Sequence, residues 1–116
     1  MILGKDVINV KEAWEKIINQ LDNNKKEFHT VPKTNKKPVW FSVYKKGDAI
    51  FVYQAEINEP SSKISTPRKL TYENFKDVYP LYIRRANGES VSAEVTQATR
   101  NQVYYFALIE HIVYEK

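Results

Sequence analysis

With 116 residues, 42% of them apolar and 13% aromatic, the chain has material for one core and not for a second. It contains no Cys, which excludes a disulfide framework, a thiol nucleophile, a redox dithiol and any thiolate metal site. The net charge of +4 is uneven: residues 25–46 carry seven Lys against Glu27 alone, residues 63–85 carry six basic against two acidic residues, and the rest is mildly acidic.

Two basic stretches in an otherwise acidic chain could form a phosphate-attracting surface if the fold brings them together. The plainer alternative is a solvated, Lys-rich exterior. Charge at Lys5 and Asp6 arrives before an export signal could form, and the longest nearly uncharged apolar run, Val103–Ile109, is far shorter than the ~20 residues that span a bilayer. The expectation is a cytoplasmic protein with no membrane partner.

In chain order, Asn9 with Glu12 three residues on has the form of a capping box. Trp14, Ile17, Ile18 and Leu21 then fall at i, i+3, i+4 and i+7, which predicts an amphipathic helix ending at Asp22-Asn23-Asn24. Residues 25–37 are polar and interrupted by Pro32, and read as a loop with a short strand at 27–31.

The β-branched and aromatic runs 39–44 and 50–55, separated by Lys45-Lys46-Gly47-Asp48, predict a β-hairpin. Large apolar side chains occupy both of its faces, Val39, Phe41 and Val43 on one and Trp40 and Tyr44 on the other, so the second face is either core or a binding surface. After the turn-rich segment 58–62, residues 63–69 predict an edge strand limited by Pro67.

Thr71 reads as the cap of a helix carrying Phe75, Val78, Tyr79 and Tyr82, which Pro80 should kink or split and Ala86-Asn87-Gly88 should stop. Residues 90–96 fit a short strand or a short helix. From Asn101, the spacing of Tyr105, Leu108, Ile109 and Ile112 predicts a largely buried C-terminal helix. The fold expected is a single α+β domain: an N-terminal helix, an antiparallel hairpin or small sheet, and a helical C-terminal half.

The chain is poor in catalytic signals. His29 and His111 stand in different elements with no partner at metal-ligand spacing, and three scattered Gly residues make no phosphate loop. Asp48 and Glu56 flank a strand, but a strand-borne nuclease needs Glu-x-Lys where this chain has Glu56-Ile57-Asn58. Neither an enzyme nor a cofactor or metal site is expected.

Binding is better supported. Read as helix, short helix, tight turn and helix, residues 72–114 follow the layout of helix-turn-helix domains. Thr99, Arg100, Asn101 and Gln102 would then stand at the tip of a recognition helix, where Arg suits guanine and Asn or Gln suits adenine. The acidic Glu89 and Glu94 count against this, and Thr99 or Asn101 could serve simply as a cap.

A second possibility is a stacking surface for single-stranded nucleic acid, made of Trp40, Tyr44, Phe51 and Tyr53 beside Lys36, Lys37, Lys45 and Lys46. The expected function is DNA or other nucleic-acid binding without catalysis. Lys36, Lys37, Lys45, Lys46, Arg68, Lys69, Arg84, Arg85 and Arg100 would meet phosphates, with Asn101 and Gln102 as base readers. The alternative is a protein-interaction module or small regulatory subunit that uses the aromatic hairpin face for a protein partner.

Overall fold

The computed structural model describes residues 7–32 and 37–114. Its elements run α1 (Val10–Gln20), β1 (Lys26–His29), β2 (Trp40–Lys46), β3 (Ala49–Gln54), β4 (Arg68–Leu70), α2 (Tyr72–Ala86), α3 (Ser92–Ala98) and α4 (Gln102–Leu108), which continues as a π-helical turn over Ile109–Val113. This is an α+β fold with an N-terminal helix and a helical C-terminal half.

The capping signals act as their chemistry requires. The Asn9 side chain accepts from the Glu12 amide at 2.8 Å, and Asn9 Nδ2 donates to the Glu12 carboxylate at 3.1 Å. Thr71 accepts from the Asn74 amide at 3.2 Å and starts α2. Pro80 does not split α2, which runs unbroken to Ala86 and ends at Asn87, with Gly88 at φ +98°. Segment 90–96, open between strand and helix in the sequence, is largely the helix α3.

The four strands form an antiparallel meander in the order β1-β2-β3-β4. Register fixes the two faces, because alternate residues point to opposite sides. The inner rows are Phe28–Phe41–Gln54, Lys26–Val43–Val52–Arg68 and Lys45–Ile50–Leu70. Phe41, Val43, Ile50, Val52 and Leu70 are fully buried there, and Phe41 meets the Tyr104 ring of α4 at 5.0 Å.

The helical layer contributes Trp14 and Ile17 from α1, Phe75, Val78, Tyr79 and Tyr82 from α2, Val95 from α3, and every residue from Tyr104 to Ile109. Phe75 sits at its centre, 5.0 Å from Trp14 and stacked 5.4 Å from Tyr79. Among the described residues, no helix is long and apolar enough to cross a membrane.

Candidate nucleic-acid interface

The outer rows of the sheet are His29–Trp40, Glu27–Ser42–Tyr53, Tyr44–Phe51–Lys69 and Lys46–Ala49. Trp40, Tyr44 and Phe51 are half-buried and take no place in the core. Tyr44 and Phe51 stack at 5.6 Å with their planes 17° apart. In the next row Lys25 Nζ lies 5.2 Å from the centre of the Tyr53 ring.

Lys69 is exposed in the row of Tyr44 and Phe51 and Lys46 in the adjacent outer row, so three rings and three ammonium groups share one half of this face. Lys25 also pairs with Glu56 at 2.9 Å. That hydrogen bond raises its pKa above the ordinary lysine value and keeps it cationic.

The other half is crossed by the segment 55–62. The Trp40 amide donates to the Pro60 carbonyl at 2.8 Å and the Ser62 amide to the Trp40 carbonyl at 2.7 Å, so this strap continues β2 beyond the end of β3. Its far side is tied to β1 by Glu27. That carboxylate accepts from the amides of Glu56 at 2.8 Å, Ile57 at 2.9 Å and Asn58 at 2.9 Å, and from Asn58 Nδ2 at 2.9 Å.

Three successive amides make an anion-binding concavity, here filled by the chain's own carboxylate. Desolvation opposes the charge on Glu27, but the four donors outweigh it and hold its pKa below the usual value. Ser42, in the row between Glu27 and Tyr53, is only 1% exposed.

The remaining residues expected to bind nucleic acid are dispersed. Lys45 is on an inner row, while Lys37 lies beyond the sheet on the loop preceding β2. Lys36 lies outside the described residues. Arg68 is exposed on the inner row of β4, where its Nη1 donates to Asn101 Oδ1 at 3.3 Å.

Arg84 is held by Glu94 at 2.5 Å and Glu89 at 3.1 Å, and these two carboxylates raise its pKa. Arg85 donates to the Val31 carbonyl at 2.9 Å and lies 4.9 Å over the Phe106 ring. Arg100 is exposed, before α4.

The helices α2, α3 and α4 follow in the expected order, but α4 is enclosed. Val103 is its one large exposed side chain, at 44%, and a recognition helix needs an outward face over its first turns. Asn101 Oδ1 accepts from Arg68 in an exposed contact, and Gln102 Oε1 is buried without a partner among the described residues. The Thr99 hydroxyl accepts from the Asn101 amide at 3.0 Å in the turn between α3 and α4, and neither Thr99 nor Asn101 caps the first turn of α4 with its side chain.

The fold also joins what the sequence held apart. His29 and His111 meet with ring centres 4.5 Å apart, His111 Nε2–H donates to the His29 carbonyl at 2.9 Å, and His29 packs edge-on to Trp40 at 5.1 Å. The contact spans 82 residues, so no local spacing could reveal it. The neighbouring Glu110 accepts from Tyr82 at 3.2 Å. Among the described residues no three His, Asp or Glu side chains gather as a metal site.

Protein-family models, curated proteins and solved structures give no match to this chain.

Proposed function

We propose that the protein binds single-stranded nucleic acid without catalysis, on the outer face of its sheet. The observation that carries this reading is the half-exposed Tyr44–Phe51 pair, with Tyr53 one row away and Lys25, Lys46 and Lys69 around them. Every base has a π-face, so such rings accept unpaired bases of any sequence, while ammonium groups meet the phosphates between them. A paired duplex keeps its bases stacked inside and gains nothing from flat rings. Arg68 is on an inner row and Arg84 and Arg85 are on α2, so they have no part in this footprint.

The test is fluorescence anisotropy with single-stranded and duplex oligonucleotides over a salt series. At about 1–3 kcal/mol per stacked base, removing both rings with Tyr44→Ala and Phe51→Ala should weaken single-strand binding by at least about thirty-fold. Lys46→Ala with Lys69→Ala should flatten the salt dependence by about 1.4 in log–log slope. Binding that is absent at low salt, or indifferent to the two rings, would sink the proposal and favour a protein partner on this face.

A further inference from the structure

A second concave region lies away from the outer sheet face. One lobe, of about 560 Å³, is walled by Pro32, Val91, Val95, Val103 and Phe106 together with polar residues from 88–92. It adjoins a lobe of about 270 Å³ formed by Val31, Val39 and Lys37, and both share Pro32, Arg85, Val103 and Phe106. The larger lobe falls within the size range of small-molecule sites, and its lining is mainly apolar. Val103, one of two large hydrophobic residues left exposed among the described residues, lines both lobes.

A cation stands at one end of this cleft. Lys37 is exposed at the smaller lobe and has no ion pair among the described residues. Arg85 lines the shared wall and is fixed in orientation by Val31 and Phe106. The one carboxylate that lines the larger lobe, Glu89, is bound by Arg84 at 3.1 Å.

We propose that this cleft is a binding site for a small organic acid with an apolar body. Its carboxylate lies at Lys37 in the smaller lobe, and its apolar part covers Val95, Val103 and Phe106. A carboxylate suits the cationic end because an ammonium partner strengthens the hydrogen bond. The apolar body suits the other end because it removes the exposed Val103 side chain from water. This site is independent of the outer sheet face, since none of Tyr44, Phe51, Lys46 or Lys69 lines it.

The experiment is a two-dimensional amide NMR titration with 4-phenylbutanoate and with its uncharged amide. The acid should shift the amide signals of Val95, Val103 and Phe106 and bind at least about ten-fold more tightly than the amide, the margin of one charge-assisted hydrogen bond. Lys37→Ala should bring the acid down to the affinity of the amide, and Val103→Glu should abolish binding of both.

Both substitutions are at exposed positions, so the wild-type spectrum elsewhere reports that the fold is intact. Tyr44→Ala with Phe51→Ala should leave the titration unchanged. Equal affinity for acid and amide, no shifts in the cleft at millimolar probe, or indifference to Lys37→Ala would each overturn the assignment.

Discussion

Glu27→Gln tests the strap that crosses half of the outer sheet face. The carboxylate receives four N–H donors between 2.8 and 2.9 Å from residues 56–58. Glutamine keeps one acceptor oxygen but turns an NH₂ toward two of those donors, so about two bonds and the charge are lost. At roughly 1 kcal/mol for each bond in a partly exposed setting, the cost is about 2 kcal/mol. For a chain of this length that corresponds to a fall of about 8 °C in Tm.

The pH dependence has a definite sign. The folded pKa of Glu27 lies below its ordinary value, so the contribution is complete above the unfolded pKa of about 4.3 and fades as pH falls through the lower, folded one. Urea unfolding of wild type and variant at pH 7, 5, 4 and 3 should therefore show a gap that is full at pH 7 and 5 and closes toward pH 3. A gap under about 0.5 kcal/mol at pH 7, within the usual range for surface substitutions, or one unchanged at pH 3, would refute the latch.

Four further outcomes are expected. Phe75→Ala, at a fully buried position between Trp14 and Tyr79, should cost about 3–5 kcal/mol by urea unfolding and alter Trp14 emission. Tyr105→Phe removes the hydroxyl that accepts from the Thr71 amide at 3.0 Å, and should cost about 1–2 kcal/mol, measured in the same way. Gly47 stands at φ +63° in the two-residue turn between β2 and β3, so Gly47→Ala should lower stability by about 1–2 kcal/mol while Gly47→Asn costs less. Tyr44→Ala with Phe51→Ala should cost no more than about 1.5 kcal/mol beyond the loss of partly buried area, since the rings support no core, and a collapse of the fold would show that they are structural.

What the sequence made legible was local. The stripe at Trp14, Ile17, Ile18 and Leu21, the caps at Asn9 and Thr71, and the turn at Gly47 each rest on contacts within a few residues, and the elements stand where that chemistry puts them. The C-terminal pattern was legible for the same reason, though not its change to π-helical geometry after Leu108. The edge strand expected over 63–69 is only Arg68–Leu70, beginning directly after Pro67, which has no N–H to give a ladder.

The candidate sites were less legible because each depends on register. Lys45 and Lys46 read alike in sequence, yet one residue of register sends the first to the helical side and the second to the open side. Arg68 and Lys69 are divided in the same way. The Glu27 latch and the His29–His111 contact join elements far apart in the chain, and no spacing rule reaches that distance.

The two faces of the sheet bear on why aromatic residues stand where they do. Period-2 alternation with one buried face calls for polar residues on the other, and β1 nearly follows that rule with Lys26, Glu27, Phe28 and His29. β2 and β3 depart from it: Trp40, Tyr44, Phe51 and Tyr53 occupy outer rows, while the inner rows already supply Phe41, Val43, Ile50 and Val52 to the core. Trp40, Tyr44 and Phe51, which have no place in the core, carry a solubility cost on an exposed sheet. Cations beside them at Lys25, Lys46 and Lys69 reduce that cost and at the same time create affinity for anions. The strap covers the row at Ser42 and leaves the row of Tyr44, Phe51 and Lys69 half-exposed, so the rule is broken on the same half of the face where stacking and charge coincide. A departure from patterning joined to complementary charge is what the proposed stacking site requires, and the response of single-strand binding to Tyr44→Ala with Phe51→Ala decides between that use and a structural one.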